Sequence, residues 1–351
     1  MTWKRCALLL ALVTAAHAQP WTRWPAADRL FETPGPWTGA DAAYSVALGG
    51  DRVLWLFGDT FVGRVAAGKR AGVTMTRNTV AIQRGLDPST AAITFYTGAS
   101  PAGVFPPPDG RGWMWPLAGT RTPRGLAVFL GHFAATGDGS AFGFKAVGHA
   151  VAQVANPDDP PSLWRVAIHA LPFDGYGIAL TPVDSTLFIW GYRDRSVNGA
   201  TVRSAVLARA PLAAPERAER WRFWDGARWV AGPEHAAPLW EECATELSVH
   251  GSGPHGAGPP YAAVYTRSGL SPDVLLRTAD ALTGPWSAPR VVYRCPEMRG
   301  KVFTYAAKAH PELATRPGEI VATYVTNAAD LGTVVNDARI YRPLFLRGAW
   351  R

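Results

Sequence analysis

Three acids stand where a carboxylate could do chemistry: Asp41, Asp59 and Glu246. Asp59 follows Leu54-Trp-Leu-Phe-Gly58, the most apolar stretch of the chain, and Thr60-Phe-Val62 continue its strand character. An acid in that setting is poorly explained as a turn residue. Asp41 stands just before a second apolar run, Ala42–Leu48, and Glu246 lies inside an alternating run with Leu247 and Val249 on the opposite face. Glycoside cleavage needs two carboxyl groups flanking one bond, one as proton donor and the other as base or nucleophile. The donor must keep its proton near neutral pH, so burial or a like-charged neighbour must raise its pKa. Trp115 offers a surface on which a sugar ring could stack. Tyr176, Tyr305, Lys308 and His310 could bind hydroxyls or tune charge. Lys308 and His310 alternate with Ala306 onto one face of an expected strand.

The elements that must position these groups are short strands. Asp41–Leu48, the Gly49-Gly50-Asp51 turn and Arg52–Phe57 read as a hairpin. Asp41 and Asp59 are each nine residues from residue 50, which predicts a direct cross-strand pair. Similar pairs begin at Trp113, Tyr176, Thr245 and Phe303, with further strand candidates between them. Starts spaced about 58–72 residues apart leave room for four strands each. Radial repetition of four-stranded sheets is a β-propeller. The expected fold is therefore all-β, a five-bladed β-propeller with four-stranded antiparallel blades. In such a ring the first strand of each blade lines the channel, so groups at the blade starts converge.

Composition agrees. With 36 Gly and 30 Pro spread along 351 residues, turns are frequent and helices disfavoured. At 48% hydrophobic residues the chain is too apolar for disorder. The net charge of +8 is scattered and contains no Lys/Arg run of five, which argues against a nucleic-acid surface. Residues 1–18 read as a signal peptide: basic Lys4-Arg5, apolar Ala7–Ala16, then Ala16-His17-Ala18. The expectations are an exported (periplasmic or extracellular) chain with no membrane span, residues 19–40 as a lead-in, and 41–351 as one propeller domain. Cys243 and Cys295 remain after signal removal and are expected to form a disulfide in an oxidising compartment. No clustered Cys/His motif reads as zinc, and no glycine pattern reads as a nucleotide site. No cofactor is expected, with a channel cation such as calcium left open.

Leu54-Trp-Leu-Phe-Gly-Asp-Thr-Phe-Val62, preceded by Asp41-Ala-Ala-Tyr-Ser-Val46, resembles the opening blade of a bacterial domain-of-unknown-function family, DUF4185-like. That family is similar to the five-bladed furanosidase propellers (arabinanases, xylosidases, levan-type fructosidases) and includes endo-D-arabinanases. Ala208-Arg-Ala-Pro211, Thr245-Glu-Leu-Ser-Val249, Leu276–Ser287, Tyr305–Glu312 and Ile340-Tyr-Arg-Pro343 extend the resemblance across residues 41–343. It implies an acidic pocket in which Asp41 and Asp59 carry catalysis and Glu246 is a third acid.

The function expected is thus an exported glycoside hydrolase cleaving furanosidic linkages of a polysaccharide or oligosaccharide, arabinan being a candidate, and acting as a monomer. The catalytic set is Asp41, Asp59 and Glu246. Trp115, Tyr176, Tyr305, Lys308 and His310 bind substrate. Two readings stand against it: a non-catalytic carbohydrate-binding propeller, and a polysaccharide lyase using the positive charge with a Lys or His base.

Overall fold

Alternation along each strand builds the ring. In the second strand of the first blade, Val53, Trp55 and Phe57 point to one face while Leu54 and Leu56 point to the other, and all five are fully buried. The odd set packs with Val321 and Phe345 of the last blade, and the even set with Met114, Val128 and Leu130 of the second. The strand is buried on both faces, which is why it reads as a continuous apolar run. Each remaining junction has its own apolar cluster, so every adjacent pair of blades shares a core.

The computed structural model describes residues 21–32, 34–137, 143–251 and 259–350. The expected signal peptide lies outside the described residues. Five antiparallel sheets form the five blades of a β-propeller. Their first strands are Trp37–Gly49, Trp113–Thr122, Tyr176–Val183, Leu247–Gly251 and Val302–Ala309. Successive first strands touch one another around the axis. Blade one carries an extra strand, Lys69–Thr76, paired to Arg52–Ala66, and blade three carries short additions at its outer edge.

The ring is closed by the chain's beginning. Thr22–Arg23 pairs with Pro343–Ala349, so the lead-in segment supplies the outer strand of blade five. Trp21 is buried, and its indole donates to Ala349 O at 3.1 Å. A Cβ on Gly348 would collide with that indole, which explains the glycine there.

The disulfide expectation is corrected. Cys243 and Cys295 are both buried free thiols. Cys243 sits in the core between blades three and four, and Cys295 in the core between four and five. Each is held in a different apolar layer, and burial pushes both thiols up to about 12.

Candidate functional site

The first strands are irregular where they enter the channel. In blade one the pairing steps from Ala40 opposite Thr60 to Ala42 opposite Phe57, and Ala42 and Ala43 take φ of 62° and 56°. In blade five it steps from Tyr305 opposite Val325 to Lys308 opposite Thr323, with Ala306 at φ 59°. Blades two and three shift register between Pro116 and Gly119 and between Tyr176 and Ala179. Such bulges re-aim side chains. They also correct two expectations. Asp41 falls inside the irregularity opposite Gly58-Asp59 rather than in a regular cross-strand pair. Ala306, Lys308 and His310 do not share one regular face.

A cavity of about 890 Å³ opens at this end, and all five blades line it. Asp41, Asp59, Glu246, Trp115 and Tyr305 reach its wall. Tyr305 donates its hydroxyl to Asp41 Oδ2 at 2.9 Å, and Tyr341 lines the same cavity. Burial pushes Asp41 up to about 8, with the charges of Asp59 and Glu246 adding to the effect. Asp59 is surrounded differently. Trp115 Nε1 donates to its Oδ1 at 2.9 Å, and Arg77 Nη1 lies 3.2 Å from its Oδ2. Burial raises Asp59 too, but Arg77 and the Trp115 indole oppose that rise. Arg77 is itself stacked 4.1 Å over the Trp113 ring.

Glu246 precedes the first strand of blade four and accepts from Lys308 Nζ at 2.9 Å. Lys308 is 1% exposed. It also donates to Ala306 O at 2.8 Å and to Ala42 O, and sits 4.4 Å over the Tyr44 ring. Burial lowers its pKa, and Glu246 opposes that. Lys308 thus ties blades one, four and five together beneath the acids rather than facing the cavity.

Two further expected binding residues lie elsewhere. Tyr176 is 3% exposed and packs on Phe173, Trp221 and Phe223. His310 is fully buried against Trp55, with Nδ1 2.6 Å from Ser45 Oγ and Nε2 2.8 Å from Thr323 Oγ1. Neither lines the cavity.

Other lining groups escaped the sequence. Arg77 lies in a link between strands and carries no local pattern. Tyr341 belongs to the Ile340-Tyr-Arg-Pro343 motif, which carried the resemblance without a role. Asn327 donates to the Tyr305 hydroxyl at 3.2 Å. Phe133 and Phe144 flank Trp115 at ring distances of 4.4 and 4.8 Å. Among the described residues, no group of three or more His, Cys, Asp or Glu is arranged to hold a metal ion. No described helix is long and apolar enough to cross a membrane.

Comparison with known proteins agrees with the architecture. A family profile described as a domain of unknown function, DUF5005, matches residues 26–349. A solved structure from Bacteroides ovatus, provisionally described as a hydrolase, superposes with a TM-score of 0.72 at 16% identity, covering 95% of this chain and 92% of that one. The catalytic domain of a GH62 α-L-arabinofuranosidase from Coprinopsis cinerea superposes with a TM-score of 0.50 at 11% identity, covering 95% and 97%. At these identities the likeness is one of fold. No curated protein matches the chain.

Proposed function

We propose, for a chain that belongs to the DUF5005 family of unknown function, that it is an exported glycoside hydrolase acting on furanosidic linkages of a polysaccharide. Arabinan is the first candidate. The observation that carries the reading is one cavity holding two half-buried acids whose surroundings drive them apart. Asp41 has one tyrosine hydroxyl donor and two neighbouring acids, and burial holds it at about 8. Asp59 has a guanidinium and an indole N–H. Unlike surroundings divide two carboxyl groups into an acid and a base.

Asp41 is then the proton donor to the leaving oxygen. Asp59, favoured as carboxylate by Arg77, is the nucleophile or the base that activates water. Glu246, paired with Lys308, adds negative potential that favours the proton on Asp41. It can also accept from a substrate hydroxyl. Trp115 fixes Asp59 through its indole while presenting an aromatic wall with Phe133 and Phe144. The likeness of fold to a GH62 arabinofuranosidase supports the class but not the linkage.

The test is a screen of the purified protein against arabinan, arabinogalactan, levan and xylan with reducing-end detection. Release from a furanose polymer is expected. Saturable binding without release from any of them would replace this reading by a carbohydrate-binding propeller.

A further inference from the structure

Tyr305 and Asn327 meet across two strands of blade five. Val302–Ala309 and Glu319–Ala328 run antiparallel, with Tyr305 opposite Val325 and Phe303 opposite Asn327. Residues two apart on a strand share a face, so Tyr305 and Asn327 are diagonal neighbours on one face. Asn327 Nδ2 donates to the Tyr305 hydroxyl at 3.2 Å. The amide is held in that orientation, because its Oδ1 accepts from Ala328 N at 2.8 Å. The Phe303 ring packs beside Tyr305 at 5.6 Å.

A phenol hydroxyl carries one hydrogen to donate and can accept in return. Asn327 N–H occupies the accepting side of the Tyr305 oxygen, so the hydrogen is left for Asp41 Oδ2, 2.9 Å away. That direction matters when Asp41 holds a proton. A proton on Oδ2 would set two hydrogens between two oxygens unless the tyrosine hydroxyl turned round, and the Asn327 amide opposes that turn. Oδ2 is thereby kept as the carbonyl oxygen of the acid, and Oδ1 is left to carry the proton. Oδ1 has its own place in the cavity. A Cβ on Gly58 would collide with it and would lie 3.8 Å from Trp115 Cδ1. Gly58 directly precedes Asp59, so Oδ1 stands on the side of the second acid and the aromatic wall.

We propose that Asn327 is a positioning residue for the acid pair: by directing the Tyr305 hydroxyl onto Asp41 Oδ2, it keeps the transferable proton on Oδ1, on the Gly58 and Trp115 side of the cavity. The proposal rests on Asp41 being the proton donor of the proposed reaction. When Oδ1 gives its proton to the leaving oxygen, the electron pair of the breaking C–O bond goes to that oxygen. Asp41 is left as a carboxylate, still held at Oδ2 by Tyr305. The charged and titratable groups facing Asp41 are Asp59, Glu246, Lys308, Tyr305 and Tyr341. A hydroxyl donated to a carboxylate favours the ionised form, so removing it raises the pH at which Asp41 loses its proton.

The experiment follows the protonated Asp41 carboxyl by difference infrared spectroscopy across pH, with Asp41→Asn identifying its C=O band. This readout needs no substrate, so it separates failure of the hydroxyl chain from failure of the hydrolase reading. A carbonyl oxygen relieved of a hydrogen bond absorbs at higher wavenumber. With the proton on Oδ1, Tyr305→Phe is expected to move the band up, and to raise the midpoint of its loss by about one pH unit. Asn327→Ala leaves the hydroxyl free to turn, so a second band is expected at the Tyr305→Phe position beside the wild-type one. Asn327→Ser, too short to reach the hydroxyl, carries the same expectation and serves if Asn327→Ala does not fold. A purely structural asparagine would lower the melting temperature and leave one band at the wild-type wavenumber. That result, or an unmoved band in Tyr305→Phe, overturns the proposal.

Discussion

At the scale of residues, the account turns on how one cavity treats two aspartates. In the proposed reaction Asp41 donates a proton, so activity should fall as pH rises through about 8, where its carboxyl ionises. The acid limb should lie above the ordinary carboxylate range, because burial also raises Asp59. A kcat/KM profile across pH checks both limbs. Removing Arg77 takes away the charge that favours ionised Asp59, so Arg77→Met should move the acid limb further up. The same burial has a stability consequence. In the unfolded chain Asp41 ionises near 3.8, whereas in the fold it does so at about 8. Between those values the folded state binds the extra proton, so this group's contribution to stability is complete at low pH and is lost as pH rises through the window. Asp41→Asn should therefore stabilise the protein at pH 8 by up to about 5 kcal/mol and by little at pH 4, as thermal melts at the two pH values would report. Asp59 was legible in the sequence because an acid at the end of Leu54-Trp-Leu-Phe-Gly58 has no ordinary structural use. Arg77 and Tyr341 were not, because each reaches the cavity only through tertiary folding.

At the scale of elements, the deciding features are the bulges that aim the site. The hairpin over Asp41–Phe57 was legible from its alternation and from the Gly49-Gly50 turn, where φ values of 100° and 60° suit glycine. The register was not legible. Counting equal arms from the turn predicts a regular pair, but left-handed Ala42 and Ala43 carry no signal in their residue type. The same irregularity in blade five separates Lys308 from the face expected for it and sends His310 into the core. Strands such as Phe144–Val154 and Lys69–Thr76 also went unread, since exposed stretches at their starts dilute the alternation. Close approach is the other element-level device. A Cβ on Gly58 would run into Asp41 Oδ1. The carboxyl can swing aside at small structural cost, so Gly58→Ala should leave the melting temperature nearly unchanged. It should still cost about 100-fold in kcat, because misplacing a reacting group is expensive. Rate and melt measured on one preparation check the pair of outcomes.

At the scale of the whole molecule, Trp21–Arg23 completes the last blade by docking on its outer edge. Trp21 lies in the core between blades four and five, so Trp21→Ala should cost about 3–5 kcal/mol in denaturant unfolding without changing any cavity group. Ring architecture was the most legible property of the chain, because repeated hairpins at near-even spacing survive errors in any single strand. Ring closure was hidden, since Thr22–Arg23 is too short to show a period. The two thiols were misread because a pair count says nothing about which apolar layer each occupies. Alkylation of the unfolded protein without reductant should label both Cys243 and Cys295 in full. The closed ring is what brings blade one's aspartates, blade four's glutamate and blade five's tyrosines to one cavity, and hydrolysis is the property that the assembled set should confer. The most direct measurement is kcat/KM for reducing-end release from a furanose polysaccharide by the wild type, Asp41→Asn and Asp59→Asn. The account predicts release by the wild type and a loss of at least about 100-fold in each variant with the fold intact. Wild-type rates in either variant would contradict it.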